Sequence, residues 1–364
     1  MIKLKNTPEQ VELVKAIGSK DNATSRQASE AFAAAIGSVI KEVLAQAGTA
    51  SLIYVDQSFM EDESPSYPLD LYYNEDAGYI TTWSQSMAGG LPSSEVSGVA
   101  EMKIATYRLD SAVNFLKKYA RKHNLNVLSK AVERMIQEVL IKQERQAWAV
   151  IMRALAEAST KVNGTATAHI LSATTANRFQ LDDLNRLLTL AKRINASFAG
   201  GTAVSPFSRG ITDLFVSPEI KQEVRSFVYQ PMNTQAVPNT DESTAIPLPD
   251  AIRQSIYAGG GIDGVFGIAL TELNELGDAQ KYNTIFKSYY TSTFVNATDQ
   301  ILVGIDLSKD AFIRPIATDA NNGATFVVSN DDQWVSRSER VGFYGACEQG
   351  NICIDGRATM GLIV

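Results

Sequence analysis

LNVLSKAVERMIQEVLIKQERQAWAVIMRALAEASTKV, residues 125–162, lies within a longer run, 99–163, that contains neither Gly nor Pro. Apolar side chains fall at Leu128, Val132, Met135, Ile136, Val139, Leu140, Ala147, Val150, Ile151, Ala154 and Leu155. Their spacing traces a stripe along one face of a helix. The opposite face carries Lys130, Glu133, Arg134, Glu138, Lys142, Glu144 and Arg145. Glu138 and Lys142 stand in the favourable i,i+4 order, worth about 0.2–0.5 kcal/mol. Asn163-Gly164 supplies helix-ending chemistry. The pattern predicts one helix over 125–162, roughly 55 Å long at ~1.5 Å per residue. The average helix has only about 11–12 residues. A helix this long spans its domain and gives other segments a rail to pack on. The competing reading is two shorter helices broken at Gln143–Gln146, where the apolar stripe thins.

The 364 residues exceed a typical single domain of about 100–200, so two domains, or one with elaborations, are expected around a large core. A composition 45% hydrophobic and 20% charged is that of an ordinary globular protein. The net charge of −7 and pI near 5.1 give no global basic field to draw the chain to nucleic acid or an anionic membrane. Met1–Asn6 lacks an apolar signal core, and no apolar run approaches the roughly 18 residues that span a bilayer. A cytosolic, reducing compartment is therefore expected, and Asn-x-Ser/Thr matches such as Asn22 and Asn296 are read as chance. Cys347 and Cys353 are read as small apolar residues of neighbouring strands; with no histidine near them in sequence they make a poor zinc site.

Thr7-Pro8-Glu9-Gln10 opens a short helix: a capping residue, Pro at the first helical position, then acid. A second helix is expected over Ser25–Ala47, with Ala31, Phe32, Ala35, Val39, Val43 and Leu44 on one side. This arm can bury little by itself and is expected to lie on another subunit or on the main body. Residues 51–102 hold nine acids (Asp56, Glu61, Asp62, Glu63, Asp70, Glu75, Asp76, Glu95 and Glu101) and no Lys or Arg. Strand-like runs Leu52–Val55 and Leu69–Tyr73, then Tyr79–Trp83 and the turn-rich Met87–Gly98, predict an extended hairpin. So long an insertion, poor in apolar residues, cannot form its own core and needs a partner surface.

Residues 103–123 offer one: Lys103, Arg108, Lys117, Lys118, Arg121, Lys122 and His123 form a basic segment, read as helical, that leads into the long helix. In identical copies an acidic loop and a basic segment are complementary, and such charges set orientation and register. Tyr, Trp and Arg tend to anchor interfaces. The expected contact residues are therefore Tyr72, Tyr79 and Trp83 in the loop, with Arg108, Lys117, Lys118 and Arg121 before the long helix. The alternative is two unrelated solvated surfaces.

Beyond the long helix, Ala166–Ala176 reads as strand or linker and Leu181–Ser197 as an amphipathic helix. Ile211–Val216 is a buried strand, followed by Ser217-Pro218-Glu219 capping a helix over Glu219–Tyr229. A helix over Asp250–Ala258 and strands over Val265–Leu273, Ile301–Ile305 and Ala311–Ile316 follow, a pattern of α/β packing. Ala324–Ser329, Trp334–Phe343, Asn351–Asp355 and Met360–Val364 read as antiparallel strands joined at Gly345–Gly350 and Gly356. Gly259-x-Gly261-x-x-Gly264 matches a dinucleotide fingerprint only formally, because a helix precedes it and a strand follows. No Walker loop or Gly-x-Ser-x-Gly elbow occurs. His123 and His169 are read as structural. Asp319–Gly323 starts like a calcium loop but lacks the closing acid, so it reads as an Asx-type turn. No catalytic residue, cofactor or metal is expected.

The order of parts resembles the major capsid protein of tailed bacteriophages, the Hong Kong 97-type fold. The resemblance lies in Leu125–Val162, in Thr212-Asp-Leu-Phe-Val-Ser-Pro-Glu219, and in Arg340-Val-Gly-Phe-Tyr-Gly345 with Asn351-Ile-Cys-Ile-Asp-Gly-Arg357. It implies an α+β fold: an N-terminal arm (1–50), an extended β-hairpin loop (51–102), a peripheral domain of long spine helix and β-sheet (103–180), a central α/β axial domain (181–310), and return strands of the peripheral domain (311–364). It also implies a non-enzymatic virion protein, assembled in the host cytoplasm, whose copies form the hexamers and pentamers of an icosahedral shell. Such a shell encloses double-stranded DNA without sequence-specific binding, which an acidic chain suits, since firm phosphate contacts need basic patches. Some members join a loop lysine to a neighbour's asparagine; 51–102 contains no lysine, so that chemistry is not carried over. The short segment before the loop makes a separate scaffolding protein the expected helper, beside portal and cement proteins. The alternatives are an encapsulin-like nanocompartment shell and an α/β enzyme with an unrecognised site.

Overall fold

The computed structural model describes residues 8–33, 48–60, 63–68, 101–121, 125–162, 165–198, 210–226, 232–233, 245–246, 254, 264–290, 294–318, 326–331 and 339–364. They divide between two compact units. The first takes residues up to Pro68, Ala100–Trp148 and Phe312–Ile352; the second includes Ala149–Ala311 and Cys353–Val364. The long helix, Leu125–Glu157, is continuous over 33 residues, about 50 Å, with no break at Gln143–Gln146. It supplies residues to both units.

The first unit is a sheet with helices on one face. Strand Tyr107–Leu116 pairs antiparallel with Arg340–Gln349 along its whole length, from Tyr107↔Gln349 to Leu116↔Arg340. On the other edge of Arg340–Gln349 lie Val327–Asp331, antiparallel, and Phe312–Thr318, which pairs at Ile316↔Gln349. Val55–Met60 then joins Phe312–Thr318 in parallel. Along Tyr107–Leu116 the side chains alternate: Leu109 and Phe115 are buried, while Arg108, Asp110, Ala112 and Asn114 are exposed. The buried face packs on Val132, Met135, Ile136 and Val139 of the long helix. It also packs on Val14 and Ile17 of helix Pro8–Ile17 and on Ala28, Phe32 and Ala33 of a helix over 22–33. The Phe343 ring lies 5.4 Å from Phe32 and 6.0 Å from Phe115. Of the two places expected for the N-terminal segment, residues 8–33 take the main body, because their apolar face completes this core. Residues 34–47 of the expected second helix lie outside the described residues.

The second unit is a mixed sheet in the order Gly264–Val265, Ile268–Glu272, Asp213–Val216, Ile301–Ile305, Thr359–Ile363, Ile170–Ser172. Asp213–Val216 runs parallel to Ile268–Glu272, and Thr359–Ile363 runs parallel to Ile170–Ser172; the other pairings are antiparallel. Every residue of Ile301–Ile305 and Thr359–Ile363 is buried, as in strands covered on both faces. Helix Leu181–Phe198 sets Leu184, Leu187, Ala191 and Ile194 against Leu214, Val216, Leu302, Met360 and Leu362. Ser217 caps helix Pro218–Ser226 as expected, its Oγ accepting from the Ile220 N–H at 3.2 Å. Two further strands, Met232–Asn233 and Ala245–Ile246, pair with each other.

Several expectations need correction. The long helix ends at Glu157, and Ser159–Val162 is a strand paired with Thr165–Ala168. Asn163-Gly164 stands between the paired Val162 and Thr165, where Asn-Gly is a strong hairpin signal; the β-branched Thr160, Val162, Thr165 and Thr167 favour strand over helix. Leu52–Val55 is not one strand: Ala50–Ile53 is a helical turn, and the strand is Val55–Met60. The basic segment is largely the strand Tyr107–Leu116, with only Lys117–Arg121 helical. Gly345 is no turn but lies in mid-strand; a Cβ there would sit 2.5 Å from the Phe326 ring, so only glycine lets that ring pack. Cys353–Val364 belongs to the second unit, with Thr359–Ile363 between two of its strands, so the return strands divide between the units. Val265–Leu273 is not one strand: Gly264–Val265 and Ile268–Glu272 form a hairpin whose two-residue turn holds Phe266 at φ 54° and Gly267 at φ 81°. A bulky side chain in left-handed backbone costs roughly 1–2 kcal/mol. The expected helix over 250–258 lies almost wholly outside the described residues.

Gly345→Ala is expected to destabilise the chain by about 1–3 kcal/mol through overpacking against Phe326. Thermal denaturation checks it, with Phe326→Leu in the same chain restoring part of the loss.

Candidate functional site

The segment that leads to the acidic loop is held at several points within the first unit. In mid-helix, Glu144 Oε1 accepts from the Thr49 N–H at 2.6 Å, from the Thr49 hydroxyl, and from the Ala50 N–H at 3.0 Å. The Thr49 hydroxyl in turn accepts from Trp148 Nε1 at 3.0 Å. Helix Ala50–Ile53 has no side-chain cap of its own, and the Glu144 carboxylate satisfies its first N–H groups instead. Tyr54 donates its hydroxyl to the Ala147 carbonyl at 2.9 Å. On the adjoining strand Asp56 takes a two-pronged ion pair from Arg314, with Nε–Oδ1 2.6 Å and Nη2–Oδ2 2.9 Å. Thr318 Oγ1 donates to the Phe59 carbonyl at 3.0 Å. Ser66–Pro68 then pairs antiparallel with Glu101–Lys103, with Pro68 opposite Glu101. Pro68 and Glu101, which flank 69–100 in the sequence, therefore stand side by side.

Sequence presents Glu144 only as a polar-face residue and Asp56 only as one of nine acids, and it does not mark Thr49 or Arg314. One signal was present: the thinning of the apolar stripe at 143–146 marks where Glu144 makes this clamp. There Gln143 Nε2 also donates to Gln349 Oε1 at 2.9 Å. Polar residues interrupt the stripe because polar partners wait there, not because the helix stops.

Of the expected contact residues, Tyr72, Tyr79 and Trp83 lie outside the described residues. Arg108 is exposed on the sheet's outer face. Its Nε donates to Asp110 at 2.8 Å and its Nη2 to the Tyr344 hydroxyl at 3.0 Å, while that hydroxyl donates to Asp110 at 2.6 Å. The Tyr344 hydrogen bond, aided by Arg108, lowers the Asp110 carboxyl pKa, and the same bond to Asp110 raises that of Tyr344. Lys118 is exposed, and Arg121 ends the short helix. Lys117 departs from expectation: it is 4% exposed. There the chain turns from strand to helix, and the Lys117 N–H donates to the Glu339 carbonyl at 2.8 Å. Arg108 and Lys118 therefore stay on the surface, and Lys117 does not.

His123 lies outside the described residues. His169 is buried, with Nδ1 3.0 Å from both the Gly356 and Thr359 carbonyls and Nε2 2.9 Å from Thr160 Oγ1. Two carbonyls can only accept, so Nδ1 carries the proton and Nε2 accepts from the threonine. Burial is the main cause of its lowered pKa, which the two carbonyls and Asp355 partly oppose and Lys309 reinforces. Burial also pushes the free thiols up, Cys347 to about 11 and Cys353 to about 12, away from reactive thiolate. Among the described residues no group of His, Cys, Asp and Glu could hold a metal ion, and no helix is long and apolar enough to cross a membrane.

No known family model matches the chain, and no curated protein matches it in sequence. Its structure does have likenesses. The capsid of the cyanophage P-SCSP1u superposes with a TM-score of 0.52 at 12% identity, over 85% of this chain and 86% of that one. The capsid of an empty GTA particle gives 0.51 at 12% identity, over 87% and 90%; that of the native GTA particle gives 0.50 at 13%, again over 87% and 90%. The chain has an α+β fold of the Hong Kong 97 type, as phage capsid subunits do.

Glu144→Gln, which keeps the shape but weakens the acceptor, is expected to cost about 1–3 kcal/mol. Its denaturation midpoint should fall, and 48–60 should become more open to protease. The lowered His169 pKa has a definite sign. The unfolded chain protonates near 6.5 while the folded one resists, so this residue's contribution is complete above that value and declines as pH falls below it. Melting temperatures between pH 8 and 5 should show the decline in the wild type and a flatter profile in His169→Gln.

Proposed function

We propose that the chain is the major capsid protein of a tailed bacteriophage. It is a structural protein of the virion whose copies self-assemble into the hexamers and pentamers of an icosahedral shell around double-stranded DNA. The observation that carries the reading is the likeness to capsid subunits over 85% or more of both chains, with both units of the fold included. Two features of this chain support it. The acids of 51–102 have no basic partner within that segment, and the strands Ser66–Pro68 and Glu101–Lys103, on either side of 69–100, pair with each other. Arg108 and Lys118 offer that acidic segment positive charge on a neighbouring copy, while Tyr72, Tyr79 and Trp83 supply its apolar anchors. The net charge of −7 suits a wall that encloses DNA without gripping it. A separate scaffolding protein, a portal and cement proteins are its further partners, and assembly takes place in the host cytoplasm.

Electron microscopy of the purified chain tests the proposal: closed particles or isolated capsomers are expected, and a monomer at all concentrations and salts would overturn it. The loop's part is tested by replacing 69–100 with a short Gly/Ser link between Pro68 and Glu101. The stem pairing makes that junction possible without disturbing the body. The expected outcome is a folded, soluble subunit that forms no shells; normal particles would refute the loop's role.

A further inference from the structure

The hairpin Gly264–Val265/Ile268–Glu272 ends in Phe266-Gly267, both in left-handed backbone. Such turns favour Asn-Gly or Asp-Gly, because Asn and Asp tolerate this conformation and bulky side chains do not. This chain instead holds a phenylalanine there, and that residue is 59% exposed. Within its own chain, Phe266 therefore bears a backbone cost and buries little to offset it. The hairpin is also paired into the sheet. Gly264 pairs with Ala269 and Val265 with Ile268; Ala269 pairs in turn with Asp213. Gly264 has the Ile268 carbonyl 2.9 Å from where a Cβ would stand, so the two strands approach as closely as glycine permits. A two-residue turn held between paired strands and bearing an exposed aromatic residue is a preorganised anchor.

We propose that Phe266 is an intersubunit anchor, seated in an apolar recess of a second copy of this chain. Every copy bears the conformational cost, and in a shell every copy lies against others of its own kind, so a second copy is the partner always at hand to offset it. The inference rests on the shell reading above and adds a named residue of the second unit to the loop and basic surface already considered.

Phe266→Asn separates folding from assembly, because it restores the residue the turn prefers while removing the ring. The full-length variant is expected to remain folded, with a melting temperature equal to or a few degrees above wild type. Its threshold concentration for particle formation, by sedimentation and electron microscopy, should rise at least about tenfold. Equal thresholds for variant and wild type would overturn the anchor and leave the shell reading intact. A wild type that never forms particles would sink the shell reading itself. Should the variant melt well below wild type, a second measurement decides: p-benzoylphenylalanine placed at position 266 and illuminated in assembled particles. A covalent dimer mapped to a second copy supports the anchor; particles that assemble but yield no such dimer overturn it.

Discussion

A carboxylate halfway along a helix of 33 residues holds the chain at the point where it sets out for the loop. Glu144 accepts from two backbone N–H groups and a hydroxyl, and those groups belong to a residue and its successor some 95 positions away in sequence. Without it a four-residue helical turn would leave its first donors unmet. With it, the strand that follows enters the sheet in parallel beside Phe312–Thr318, where Asp56 meets Arg314. Polar contacts thus hold residues 49–56, ahead of a segment, 51–102, that is poor in apolar residues.

The apolar side of the first unit is plainer physics. A strand of ten residues, paired along its entire length, turns Leu109 and Phe115 inward. The long helix covers that face together with the N-terminal segment, through Val132, Met135, Ile136, Val139 and Phe32. Nonpolar area removed from water drives this at roughly 25 cal/mol per Å². Close fit then demands Gly345 opposite Phe326. In the second unit Ile301–Ile305 and Thr359–Ile363 are buried at every position, and the imidazole of His169 is held neutral between carbonyls and a threonine.

Much of this was legible from residue order. The 3.6-residue periodicity of 125–157 specified the long helix, and Ser217-Pro218-Glu219 specified the start of Pro218–Ser226. What misled were signals with two meanings. Asn163-Gly164 closes helices and also joins hairpins; the threonines around it favoured the hairpin. A glycine such as Gly345 marks turns but also marks close packing, and nothing local distinguishes the two. Lys117 reads as surface by its charge, yet it sits at the buried bend between strand and helix. Arg108 and Lys118 kept the exposure their chemistry suggested.

The sequence by itself determined the long helix, the capped start of Pro218–Ser226, the uneven charge of loop and basic segment, and the absence of familiar catalytic motifs, because periodicity, capping and composition are local. Only the tertiary structure decided that Glu144 faces Thr49, that Asp56 faces Arg314, that the last strand joins the second unit, and that an exposed ring crowns a strained hairpin. Those are meetings of residues far apart along the chain. Their energies depend on desolvation and fit at sites that exist only once the chain has folded.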